Sequence, residues 1–452
     1  MLPRAYFSLI FSMFFMLGVT NPILAQVEPS ATGNGGGTPD EGEMMTPPPV
    51  SGMPYANTAS SEERSNYLSA NVTGSVAYID NVLPGSGATP ISAINYFVYP
   101  GVAFDRSIPR QKEQFSYSPS FTFYQSTGSE SVSALDSIDH NAAAGYQFRF
   151  SPEVAFGVND VFTRTSDVFN SSYLFSSPVT GSGLTSPVSV IAPFEEQMTN
   201  VANAVLSYQF ARNAMIGGGG SFITFDLPNS SDVVGLYNST ESAGNVFYSR
   251  RFSRSQYLGL TYQYAHIVAN PTNGRDETQT NTLVPFYTFY FNQSFSFSFS
   301  AGIDHVDATA PQASAVISWT PTVTVSAGWQ GRRGHLAGNF SRTTSAGQGL
   351  VGAYEAKSIQ ASGGWKFART WTGELSSTYT DINSETPLIS SLQGGNTLTV
   401  SASVDHQITD NLSTRFQYQR LQESYNGIQA ITPNSDRESI TLTYQLRRPI
   451  GR

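Results

Sequence analysis

Phe295-Ser296-Phe297-Ser298-Phe299-Ser300 alternates a large ring with a small hydroxyl without a break. Successive side chains of a β-strand point to opposite faces, so this stretch has one apolar face and one polar face. The pattern returns in Leu398, Val400, Ala402 and Val404, which alternate with Thr399, Ser401 and Ser403. It recurs across residues 66–452, broken only by turn-forming segments. Repeated at that length, it predicts an all-β fold: a transmembrane antiparallel up-and-down barrel.

The segments ahead of residue 66 differ in kind. Arg4, an apolar run over residues 5–19, the helix-breaking Asn21-Pro22 and then Ile23-Leu24-Ala25 read as a secretory signal peptide, residues 1–25. The apolar run is too short to span a bilayer as a helix. Residues 26–65 carry Gly33-Asn34-Gly35-Gly36-Gly37 and Pro47-Pro48-Pro49 among acidic residues. With so little apolar surface to bury, they are expected to form a disordered periplasmic tail.

Composition agrees with a membrane barrel. Only 13% of the residues are charged, about half the share usual in soluble domains. After the leader no apolar run reaches the length of a helical span. Low charge without long apolar runs is what strands with one lipid face and one wet face produce. A net charge of -9 argues against nucleic-acid binding, which needs a basic face. Without cysteine the chain has neither a disulfide framework nor a lipoprotein anchor.

Short turns separate the strands at Ser151-Pro152-Glu153, Ala211-Arg212-Asn213, Ser253-Arg254, Asn292-Gln293, Gly331-Arg332-Arg333-Gly334, Ala368-Arg369-Thr370 and Thr409-Asp410-Asn411, with a longer one over residues 106–112. Longer Ser/Asn/Gly/Pro-rich segments lie between them, the longest over residues 165–193. Short periplasmic turns and long external loops are the hairpin pattern of outer-membrane barrels. Thr320-Pro321-Thr322 resembles a turn, yet Ile317, Trp319, Pro321, Val323, Val325, Ala327 and Trp329 share one parity. A single strand with a bulge at Pro321 accommodates them. The count is then eighteen strands, with sixteen as the alternative, and both ends of the barrel domain are periplasmic.

The bulky parity faces lipid. Phe252, Tyr257, Phe291, Phe295, Trp365, Phe367 and Trp371 crowd the strand ends beside short turns, the place of an interfacial aromatic girdle. The opposite parity is mostly Ser, Thr, Asn, Gln, Gly and Ala, too small to fill a wide barrel, so a water-filled passage is expected. Arg149, Arg251, Lys366, Glu374, Asp405, Arg415 and Gln417 are its candidate lining residues. Asp160 falls on the lipid parity, which points to a bulge or a shifted register in its strand. Arginines gather at the short turns and acidic residues in the long loops, an order that would draw anions from the periplasmic side, or would set Arg against phospholipid headgroups and the acidic loops against divalent cations at the outer leaflet.

Nothing points to catalysis, a metal or a cofactor. His140, His266, His305, His335 and His406 lie on separate strands or strand ends, and alternation puts Asp304 and His305 on opposite faces. No nucleophile has the sequence context of a hydrolase. Gly217-Gly218-Gly219-Gly220 lacks a following Lys and Ser/Thr, so it is no phosphate loop; it would admit a bulky neighbour instead.

The repeated Tyr208-Gln209-Phe210-Ala211-Arg212-Asn213 and Trp365-Lys366-Phe367-Ala368-Arg369-Thr370 give residues 66–452 a general character. The chain resembles large porin-like outer-membrane barrels of Gram-negative bacteria, some associated with exopolysaccharide export. The final strand departs from their pattern: Tyr444-Gln445-Leu446 is followed by Arg447-Arg448-Pro449-Ile450-Gly451-Arg452 rather than ending on an aromatic residue. The resemblance implies a channel for solutes or for export of an anionic polymer. Its partners would be outer-membrane lipid, the barrel-insertion machinery and periplasmic export components. The alternative is a barrel without transport that serves structure or surface adhesion, plugged by the loop that carries Tyr173, Leu174 and Phe175.

Overall fold

The computed structural model describes residues 66–82, 90–108, 110–128, 132, 135–166, 169, 196–228, 237–253, 255–270, 274–292, 294–309, 316–345, 354–384, 394–426 and 434–449. The leader, the Gly/Pro-rich tail and the Tyr173-Leu174-Phe175 stretch lie outside these residues.

Among the described residues, eighteen antiparallel strands form one sheet. The first six are β1 (Tyr67–Ile79), β2 (Ala93–Ile108), β3 (Gln111–Ser126), β4 (Ser137–Arg149), β5 (Val154–Thr165) and β6 (Gln197–Ala211). Next come β7 (Ala214–Asp226), β8 (Ser239–Ser253), β9 (Gln256–Ala269), β10 (Asp276–Tyr290), β11 (Phe295–Thr309) and β12 (Val316–Gln330). The last six are β13 (Gly334–Ser345), β14 (Tyr354–Ala368), β15 (Trp371–Ser384), β16 (Gly394–Gln407), β17 (Leu412–Asn426) and β18 (Asn434–Pro449). Each strand pairs with its neighbours in sequence, and β1 closes the ring on β18 from Tyr67↔Pro449 to Ile79↔Arg437. Closure leaves the sheet without a free edge, the condition for crossing hydrocarbon with strands.

Short turns collect at one end of the barrel and long connections at the other, with β1 starting and β18 finishing at the short-turn end. Large apolar side chains stand exposed around the outer wall, among them Val72, Ile138, Leu206, Leu260, Ile359 and Ile440. The neighbouring parity is largely buried Ser and Thr, such as Thr73, Ser75, Thr399, Ser401, Ser439 and Thr441. An apolar belt of this extent is not tolerated by water, so the barrel is transmembrane.

β12 is one strand, and its ladder to β11 runs without a shift through Ile303↔Pro321. The bulge expected at Pro321 is absent. The missing N–H is accommodated because pairing with β13 stops at Val323↔Arg342, two residues away. Beyond that point side chains bridge the two strands: Thr322 Oγ1 donates to the Arg342 carbonyl at 3.1 Å, and the Thr320 and Thr344 hydroxyls lie 2.8 Å apart. Register shifts occur instead beside three short turns, at Tyr208/Ala211, Arg251/Ser253 and Lys366/Ala368.

Candidate functional site: the barrel lumen

The inner wall is built from the parity opposite the apolar belt. On β16, β17, β18 and β1 it is a lattice of hydroxyls and amides. The Thr73 and Thr443 hydroxyls are 3.0 Å apart, Thr441 Oγ1 donates to Ser75 Oγ at 2.9 Å, and Gln417 Nε2 donates to Ser401 Oγ at 3.1 Å. These bonds satisfy groups that would otherwise weaken the wall, because buried hydroxyls need partners.

Arg149, Arg251, Lys366, Glu374, Asp405, Arg415 and Gln417 all fall on the inward parity of their strands. Four of them form one cluster across β15–β17. Asp405 faces Arg415 and accepts two hydrogen bonds from it, from Nε at 2.6 Å and Nη2 at 3.1 Å. Glu374 lies 3.7 Å from the same guanidinium, and Gln417 sits two residues along β17. Lys366 is on the adjoining β14, beside Thr372. Arg149 and Arg251 stand apart on β4 and β8.

Charge is unevenly spread along the lumen. Toward the short turns the inward positions hold Lys112, Arg149, Arg251, Lys366, Arg415 and Arg447 against Asp105, Glu374 and Asp405. Toward the long connections they hold Asp139, Glu241, Asp276, Asp304 and Glu423 against Arg437. The axial order read in the turns and loops thus continues on the inner wall, where a low-dielectric surround strengthens it.

Large rings also stand among the mostly small side chains of the inner face. Phe97 and Tyr99 of β2 point inward and stack with centroids 5.6 Å apart. On β7–β10 a second group packs against the wall: Met215 and Tyr257 are buried together, with Phe247 and Tyr290 against them. Phe247 lies over Gly217, and Phe286 (2% exposed) lies over Gly259. The glycine run therefore does admit a bulky neighbour, from the strand beside it.

Tyr257 is the girdle residue that the structure moves. It is 2% exposed, and its ring meets Tyr290 edge-on at 5.8 Å. Leu258, Leu260, Tyr262 and Tyr264 take the outward parity of β9, so Tyr257 has to face inward. Of the other six, Phe252, Phe291, Trp365 and Phe367 are exposed. Phe295 lies 5.1 Å from Phe291, and Trp371 stacks on His406 at 4.1 Å.

The long-connection mouth is narrowed from within. Ile79, Ala93, Tyr124 and Leu421 of the wall form a buried cluster with Val82, Val132 and Phe169 of the connections. Phe169, which follows β5, thus shares one buried cluster with residues of β17, β1, β2 and β3. Arg437 (2% exposed) stacks over Phe97 at 4.9 Å and Phe169 at 5.8 Å. The signal in sequence was the run Tyr96-Phe97-Val98-Tyr99, bulky on both parities, which marks a strand packed on both faces.

No protein-family model matches the sequence, and no curated protein matches it. Among solved structures the fold is similar to Pseudomonas aeruginosa OpdQ (12% identity, TM-score 0.41, covering 84% of this chain and 99% of that one). It is similar also to Pseudomonas aeruginosa OpdK with vanillate, at 10% identity and TM-score 0.42, again covering 84% and 99%. The FrpB iron transporter from Neisseria meningitidis matches at 9% identity and TM-score 0.41, over 81% of this chain and 63% of that one.

Proposed function

We propose that the chain is a passive channel of an outer membrane for small polar solutes, favouring anions at its short-turn mouth. One observation carries the reading: a closed ring of strands presents apolar side chains outward and hydroxyls, amides and charges inward. The fold supplies a polar path and an apolar exterior. Residues 1–25 would export the chain, and the insertion machinery would place it with the short turns in the periplasm. Export of an anionic polymer fits less well, since the chain of negative charge would leave the basic half for a half rich in carboxylates.

Purified protein in planar bilayers should give stepwise currents, and a barrel silent at all voltages would overturn the proposal. Replacing Arg149 and Arg251 together by Glu should move the reversal potential toward cation preference under a salt gradient. An unchanged potential would remove both from the conducting path.

The narrowed mouth favours a second reading, a largely occluded barrel that serves structure or adhesion. Phe169→Ala with Arg437→Ala removes the contact between these two side chains at the mouth. A large rise in conductance would favour occlusion, and unchanged conductance the open channel.

A further inference from the structure

Asp160 stands near the middle of β5 on the wall that faces hydrocarbon. Its ladders are regular on both sides, through Ala144↔Asp160 and Asp160↔Ala202, so the expected bulge is absent and the carboxylate does face outward. Among the described residues its one side-chain hydrogen bond comes from Asn200 Nδ2 at 3.0 Å, and Asn200 makes no other. One carboxylate oxygen, one amide hydrogen and the amide oxygen are thus left toward the membrane. An ionisable group in that position is costly and marks a functional surface.

The surroundings are equally unlike the rest of the wall. Ala144, Ala202, Ala204, Gly218 and Gly220 share the outward parity around Asp160, by way of the pairings Ala204↔Gly220 and Leu206↔Gly218. Other strands carry Val98, Leu260, Phe299 or Phe416 on their outward mid-strand positions. Val158, Phe162 and Phe222 stand on the same outward parity, so the small residues form a shallow recess between them with the polar pair in it.

We propose that this recess is the contact surface between two copies of this chain, paired about a two-fold axis parallel to the barrel axis. Asn200 of each copy donates to Asp160 of the other. The donor and acceptor are diagonal neighbours on adjacent strands, because Asn200 pairs with Phe162 and Asp160 with Ala202. A half-turn rotation then sets donor against acceptor twice, the self-complementarity that a two-fold contact requires. Small side chains allow the walls to approach closely. A lipid chain would fill the recess but has no group to bond the carboxylate.

The test uses the absence of cysteine in the chain. In outer-membrane fragments that hold the full-length protein, Ala202→Cys treated with copper phenanthroline should give a covalent product of twice the chain mass. Ile359→Cys, on the outward face of β14, should give none. Adding Asp160→Leu to Ala202→Cys should lower the yield by roughly tenfold, while heat-dependent gel migration shows that the barrel is folded. Should that variant not fold, adding Ala144→Phe, which fills the recess, should have the same effect on yield. Absence of the Ala202→Cys product, an equal product from Ile359→Cys, or a yield indifferent to both added substitutions would overturn the proposal. A cross-linked product of another mass would also overturn it, by identifying a different protein as the partner.

Discussion

Two arcs of the inner wall solve the same problem differently. Along β16, β17, β18 and β1 the wall is held by small side chains that bond laterally, as in Thr73 with Thr443 and Thr441 with Ser75. Along β7–β10 it is held by rings laid on glycines, Phe247 on Gly217 and Phe286 on Gly259. The first arc spreads its stabilisation over many weak bonds and projects little bulk from the wall. The second concentrates it in a few packed groups and thickens the wall locally. Inward alternation is common to both, so parity alone does not tell which kind of wall a strand builds.

That contrast can be broken most severely at Gly259. A Cβ there would overlap the Phe286 ring and the Tyr248 carbonyl, whereas a Cβ at Gly74 meets no heavy atom within 4 Å. Gly259→Val should leave little folded protein on heat-modifiability gels, and Gly74→Val should fold normally. If both fold alike, the ring-on-glycine arc is not what holds β7–β10.

Phe286→Ala comes next. Removing a buried ring usually costs about 3–5 kcal/mol, and urea titration of the micelle-embedded barrel should show a loss of that order. Thr441→Val, in the other arc, removes one hydroxyl bond and should cost about 1 kcal/mol. Ser75 keeps its bond to the Ile440 carbonyl at 3.0 Å, which limits the damage. Similar losses at Phe286 and Thr441 would erase the distinction between the arcs.

Tyr257→Phe should have the smallest effect. It preserves the ring contact with Tyr290, a contact of the kind worth about 0.5–1.5 kcal/mol. Midpoint and conductance should both stay near those of the parent, while Tyr257→Ala should lower the midpoint clearly. A Tyr257→Ala variant as stable as the parent would return this residue to the lipid interface.

The fold was legible because it rests on local signals. Alternation gave the faces, short turns gave the hairpins, and the shared parity from Ile317 to Trp329 gave β12 as one strand and eighteen as the count. Reading failed where both parities are bulky, as at Tyr257-Leu258, because each face then looks apolar. What decides Tyr257 is its packing against Met215, Phe247 and Tyr290 on other strands, and strand pairing is information held far away in sequence. Asp160 teaches the opposite lesson. Its parity was read correctly, and the irregularity invoked to explain it does not exist. The inner charges from Arg149 to Gln417 were readable by parity, but the ion pairing of Asp405, Arg415 and Glu374 depends on register.

Where β12 and β13 part company above Val323, the cylinder has a seam. Main-chain rungs give way there to two threonine-centred clasps, so parting the strands costs less at that place than anywhere the ladder is complete. Deuterium should enter residues 316–322 and 343–345 ahead of the neighbouring hairpins, and any unzipping of the cylinder under heat or denaturant should start beside Pro321.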